Sequence, residues 1–267
     1  MKFTLSNLPE RTIKPRNNGL TMMMDKGLSI RETEDFLTTG GEYTDYAKLG
    51  FGTSMVTQNI IETKIKLFKE ANIKVYFGGT LFEAFIIRNK FDEYRKYMDH
   101  FKVDTVEVSD GSLLMDHDVK CEYIQKLAKN YTVLSEVGSK EAGILIAPGR
   151  WISMMNEEIA AGSSQVIAEA RESGNVGIYR PNGNAHVSLV AKIIAKVPQE
   201  KIIWETPLKS QQVWFVKQLG ANVNLGNIAP NEVIPLETLR IGLRGDTFFQ
   251  YLSESMQKAR QLKPEIK

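Results

Sequence analysis

The sequence predicts an α/β chain folded as a single (β/α)8 barrel of the TIM type, and three observations carry that prediction. Short apolar runs ending in a polar or glycine residue alternate with longer amphipathic segments along the whole chain. About eight such units fit into 267 residues, close to the roughly 250 that this barrel needs. No Pro/Ser-rich linker divides them, and no dinucleotide-type glycine fingerprint follows the first run, which weighs against an open doubly wound sheet. One domain spanning 1–267 is therefore expected, with 1–18 as an N-terminal arm and 248–267 as a C-terminal helical extension.

The apolar runs, taken in order, are Leu20–Met24, Tyr46–Phe51, Lys74–Phe77, Thr105–Val108, Thr132–Val137, Gln165–Ala170, Ile202–Glu205 and Val223–Leu225. The segments between them read as helices. Gln58–Ala71 carries Ile61, Ile65 and Phe68 at helical spacing, and Phe91–Phe101 carries Phe91, Tyr94 and Met98. A strand followed by a helix-length connection favours parallel pairing, because a parallel crossover has to span the sheet.

Composition narrows the function classes. Hydrophobic residues make up 42% and charged residues 25%, the profile of an ordinary globular protein. A formal charge of +2 gives no electrostatic case for nucleic acid or an anionic membrane. Cys121 is the only cysteine, so no internal disulfide can form and a reducing cytoplasm is the expected compartment. It lies in an amphipathic stretch and reads as a packed structural thiol. Met1–Arg16 lacks the apolar core of a signal peptide, and no run approaches the roughly 18 apolar residues of a membrane helix. Barrels of this size often associate through their outer helices, and a homo-oligomer is expected.

The residues that end each run are the informative ones. Lys48 lies in the second run, Gly78-Gly79-Thr80 follows the third, and Glu107, Ser109 and Asp110 close the fourth. Ser135 and Glu136 close the fifth, Glu169, Arg171 and Glu172 the sixth, Glu205 the seventh, and Asn224, Gly226 and Asn227 the eighth. In this fold the carboxyl ends of the strands form the active-site mouth. Buried carboxylates facing one another either salt-bridge to Lys48 and Arg171 or gather round a cation. Oxygen donors without nearby His or Cys favour Mg²⁺ over zinc. Position in the barrel makes Glu136, Glu169 and Glu205 the metal candidates, and Lys48 and Arg171 the candidates for oxyanions.

Gly79 and Thr80, between a strand and a helical segment, could offer backbone amides to an anion. Asn224, Asn227 and Arg244 fall in or after the last unit, the region of the frequent barrel phosphate site. Arg11, Lys14 and Arg16 read as a solvated basic arm. His100, His117 and His186 are scattered and support neither a zinc site nor a Ser–His nucleophile. These observations describe a barrel enzyme binding a phosphorylated anionic substrate through Mg²⁺, with a lysine for proton transfer; they do not name a reaction.

An ordered set of motifs goes further. Asp45-Tyr46-Ala47-Lys48-Leu49-Gly50-Phe51-Gly52-Thr53-Ser54, Gly78-Gly79-Thr80-Leu81-Phe82-Glu83, Val106-Glu107-Val108-Ser109-Asp110-Gly111 and Ser135-Glu136-Val137-Gly138-Ser139-Lys140 come first. Glu169-Ala170-Arg171-Glu172-Ser173-Gly174, Lys209-Ser210-Gln211-Gln212, Asn222-Val223-Asn224-Leu225-Gly226-Asn227-Ile228 and Leu239-Arg240-Ile241-Gly242-Leu243-Arg244-Gly245-Asp246-Thr247 follow. Together, from about Arg11 to Phe248, they resemble the phosphosulfolactate synthase family.

The resemblance implies a (β/α)8 barrel that adds sulfite to phosphoenolpyruvate with Mg²⁺, giving (2R)-phosphosulfolactate through an enolate-type intermediate. It places the general acid at Lys140. The stretch 141–150 is more apolar than the acidic loop expected there, and reads as a lid that bears on substrate preference. Two alternatives stand beside this reading: another enolate-forming barrel acting on a different phosphorylated acid, and a non-catalytic stress or scaffold member of the family.

Overall fold

The computed structural model describes residues 5–138, 146–170 and 172–258. In chain order they form β1 (Thr21–Asp25), α1 (Ile30–Gly40), β2 (Tyr46–Leu49), α2 (Thr53–Val56), α3 (Gln58–Glu70), β3 (Lys74–Phe77), α4 (Gly79–Ile86) and α5 (Phe91–His100). Next come β4 (Thr105–Val108), α6 (His117–Ala128), β5 (Thr132–Val137), α7 (Pro148–Ala160), β6 (Ser163–Ala168) and α8 (Val187–Ile194). The chain continues through β7 (Ile202–Glu205), α9 (Lys209–Leu219), β8 (Leu225–Ile228), α10 (Val233–Arg240) and a short α11 (Glu254–Lys258) within the expected C-terminal extension.

The eight strands form one sheet in the order β3-β2-β1-β8-β7-β6-β5-β4, with every ladder parallel. β3 and β4 pack side by side, so the sheet nearly closes on itself. This is the (β/α)8 barrel that the sequence predicts.

Period-two alternation sorts the side chains. Leu20, Met22, Tyr46, Tyr76, Leu134, Ile167 and Ile203 form a separate buried cluster that fills the barrel interior. Their strand neighbours Met23, Ala47, Val75, Val133, Val166 and Ile202 belong instead to the larger core under the helices. One further step toward the carboxyl end of β2, β5 and β7 brings Lys48, Glu136 and Glu205, in register with the inward set. Gly226 faces inward because nothing larger fits: a methyl there would lie 2.6 Å from Met22 Cε and 2.8 Å from Ile203 Cγ2.

The amino end of the barrel is closed by polar pairs. The Arg240 side chain, fully buried on α10, donates to Ala221 O (2.8 Å), Val223 O (2.6 Å) and Leu20 O (3.0 Å), across the junction of β8 and β1. The N-terminal arm completes this floor. Arg11 pairs with Glu237 at 2.8 Å, and Arg16 pairs with Asp45 at 2.8 Å. Asp45 in turn accepts from the Thr21 amide at 2.8 Å. The arm is thus not a solvated basic segment; two of its three cations are consumed in part-buried ion pairs.

Candidate functional site

The carboxyl ends of the strands enclose a cavity of about 640 Å³. Lys48, Glu107, Glu136, Glu169, Glu205 and Asn227 line it together with Gly78, Gly79 and Thr80, which open α4. Alternation explains why so many charges meet: each is the last inward-facing position of its strand or the residue just beyond it. Lys48 Nζ lies 2.9 Å from Glu107, 3.5 Å from Glu136 and 3.7 Å from Glu205. Oxygens of Glu136, Glu169 and Glu205 lie within 4.8 Å of one another, close enough to share one ion.

The electrostatics follow from burial. Burial opposes the charge on Lys48, but Glu107, Glu136 and Glu205 outweigh it and hold the ammonium well above its ordinary pKa. Burial pushes the Glu205 carboxyl up to about 7; Lys48 opposes the rise, and Glu136 and Glu107 add to it. Glu107 is raised for the same first reason, and Lys48 and the Gly79 amide counter it. Among the described residues Lys48 is the cation that Glu107, Glu136 and Glu205 face, and an all-oxygen donor set suits a hard divalent ion.

The first turn of α4 is built from β4. Gly79 N–H donates to Glu107 Oε1 at 2.6 Å. A methyl on Gly79 would collide with Ser109 Oγ and lie 2.7 Å from Glu107 Oε1, so only glycine fits. Ser109, expected at the substrate, is otherwise employed. Its buried hydroxyl donates to Glu83 on α4, which also accepts from the Gly111 and Ser112 amides, and Ser109 does not line the cavity. It ties the end of β4 to a helix.

Two other expectations are corrected by position. Asn224 lies before β8, at the amino end of the barrel; its side chain accepts from Leu20 N–H at 3.0 Å and donates to Ile202 O at 3.2 Å. Arg244 lies in the turn after α10, where its carbonyl accepts from Thr247 N–H, and it does not line the cavity. Asn227 does reach the mouth, with its backbone in the left-handed region (φ 57°) that Asn tolerates better than most residues. Lys140 and Arg171 lie outside the described residues. So do residues 141–145 of the expected lid; its last three residues, from Pro148, open α7.

Sequence reasoning did not single out Phe51, Ser112 or Ser173, all of which line the cavity. They lie in the loops after β2, β4 and β6, where no strand periodicity marks direction. It did place Cys121 correctly: burial and Glu158 push the thiol up to about 11, so it is a poor nucleophile. The neighbouring Lys120 is fully buried between Glu158 (2.9 Å) and Asp110 (3.0 Å) and also donates to Glu136 O, fixing the end of β5 from behind.

Comparison with known proteins adds identity to this geometry. Residues 9–246 match the family described as (2R)-phospho-3-sulfolactate synthase (ComA). The chain belongs to the phosphosulfolactate synthase family. It is 40% identical over 245 residues to the phosphosulfolactate synthase of Bacillus subtilis (strain 168), covering 91% of this chain and 97% of that one. It is also 40% identical over 235 residues to the Methanocaldococcus jannaschii phosphosulfolactate synthase, covering 86% and 94%. A structure of 3-hexulose-6-phosphate synthase from Salmonella typhimurium superposes with a TM-score of 0.53 at 13% identity, over 84% of this chain and all of that one, which supports the barrel fold alone. No helix among the described residues is long and apolar enough to cross a membrane.

Proposed function

We propose that this family member is a carbon–sulfur lyase, a phosphosulfolactate synthase that joins sulfite to phosphoenolpyruvate with Mg²⁺. The observation that carries the reading is the convergence of three buried carboxylates, one ammonium and a glycine-opened helix on a single cavity in a chain of this family. Glu136, Glu169 and Glu205 would hold the ion. Bound Mg²⁺ supplies positive charge opposite the substrate carboxylate, where negative charge builds during the addition.

The remaining work falls to the chain itself. The sulfite sulfur donates its lone pair to the methylene carbon, forming the C–S bond, and the double-bond electrons move toward the carboxylate. A general acid then delivers a proton to the neighbouring carbon from one face, which sets the 2R configuration. By the family resemblance that acid is Lys140. Lys48, and Thr80 at the start of α4, would face the oxyanions, the Gly79 amide being taken by Glu107, and Arg171 would take the same part by its sequence position after β6.

The deciding experiment mixes the protein with phosphoenolpyruvate, sulfite and Mg²⁺ and follows phosphosulfolactate by mass spectrometry. Product is expected, and it should vanish with EDTA and in Lys140→Ala. No product while phosphoenolpyruvate still binds would move the assignment to another nucleophile at the same mouth.

The raised Glu205 carboxyl makes a second prediction. Its folded pKa lies above the ordinary value, so its protonated form stabilises the cation-free fold at low pH. That contribution is lost as pH rises through about 7. A cation offsets the loss only where Glu205 is ionised. Added Mg²⁺ should therefore raise Tm more at pH 8 than at pH 6 in thermal melts. Equal shifts at both values would remove Glu205 from the ion site.

A further inference from the structure

The mouth holds four buried carboxylates, and Glu107 is the one that lies nearest Lys48. Its Oε1 accepts the Gly79 amide at 2.6 Å, and its Oε2 faces Lys48 Nζ at 2.9 Å. Glu136, Glu169 and Glu205 instead gather their oxygens toward one point. Lys48 stands between the two arrangements, farther from Glu136 (3.5 Å) and Glu205 (3.7 Å) than from Glu107. The division follows the strands. The ammonium and its nearest counter-ion come from β2 and β4, and the trio comes from β5, β7 and the residue just past β6.

A buried ammonium released from Glu107 would settle on the next carboxylates within reach, which are two of the trio. There it would repel and displace a divalent ion, because charges a few ångströms apart interact strongly where water is excluded. We infer that Glu107 is a positioning residue that holds Lys48 beside the cation site and out of it, so that ammonium and Mg²⁺ occupy the mouth together. The same carboxylate accepts the amide of the first residue of α4 and so ties that helix to the end of β4. The inference rests on the Mg²⁺ reading above.

Isothermal titration of Mg²⁺ into the full chain tests it without reference to turnover. Four proteins are compared: wild type, Glu107→Gln, Lys48→Met and the double variant, each checked for folding by circular dichroism. Glu107→Gln should weaken Mg²⁺ binding about tenfold or more, because Lys48 then competes for Glu136 and Glu205. The double variant should recover to within about threefold of wild type, since the competitor is gone. Lys48→Met alone should bind at least as tightly as wild type, and this arm carries the test if Glu107→Gln does not fold.

A double variant as weak as Glu107→Gln would make Glu107 a ligand in its own right and overturn the inference while leaving the Mg²⁺ reading intact. Unchanged binding in Glu107→Gln, or weakened binding in Lys48→Met, overturns it as well. A wild-type chain that binds no Mg²⁺ removes the cation reading and this inference with it.

Discussion

Glu205→Gln should lose about 10³-fold in kcat/KM for sulfite addition at pH 8, the size expected when several kcal/mol of metal-supplied stabilisation is removed. The substitution is nearly isosteric. Glu205 Oε2 accepts the Ala170 amide at 3.2 Å, and a glutamine carbonyl can keep that bond. The Glu205 backbone carbonyl, which accepts from the Tyr179 hydroxyl at 2.7 Å, is untouched. What disappears is one negative charge among three carboxylates whose oxygens lie within 4.8 Å of one another. Steady-state rates at pH 8 with saturating Mg²⁺ decide the matter. A variant close to wild type would show that Glu205 does not act as a charged ligand.

The largest effect on stability is expected at the opposite end of the barrel. Arg240→Ala should destabilise the fold by about 4 kcal/mol, because it strips three carbonyls of their donor and leaves a cavity at the seam between β8 and β1. Burial already pulls the guanidinium below its ordinary pKa, so the charge is held there by those carbonyls and by Glu237 against a desolvation cost. For a chain of this size the loss corresponds to a fall in Tm of roughly 10 °C, readable by calorimetry. Activity at low temperature should survive, since Arg240 lies far from the mouth. A loss below about 1 kcal/mol would mean that water replaces the guanidinium without penalty.

Much of the barrel is legible in the sequence because strand runs buried on both faces stand out against amphipathic helices. Lys74–Phe77, Thr105–Val108, Thr132–Val137 and Ile202–Glu205 are read with the bounds the structure shows. The eighth strand fails for a physical reason. Leu225–Ile228 contains Gly226 and Asn227, residues that usually mark a turn, so the run is read two residues early. That slip carried Asn224 from the floor to the mouth. Gly226 is there to fit between Met22 and Ile203, a constraint invisible without the partner strands.

The site divides in the same way. Lys48, Glu136, Glu169 and Glu205 are legible because strand ends in a barrel converge by construction. Glu107 and Ser109 are strand-end polar residues two positions apart, yet Ser109 anchors a helix and Glu107 grips an ammonium. Only the location of Glu83, Gly79 and Lys48 in space separates those fates. The arm was misread because Arg11 and Arg16 find their carboxylates 226 and 29 residues away.

The closed floor also bears on the order of events. Among the described residues, the interior cluster and the arm's ion pairs close the barrel at its amino end, and the cavity lies at the carboxyl ends of the strands. The carboxylates that would hold the ion are buried, deeper than the exposed residues at the rim of the cavity. An ion arriving late would have to pass the substrate. On that reading the ion would load before the substrate and leave after it.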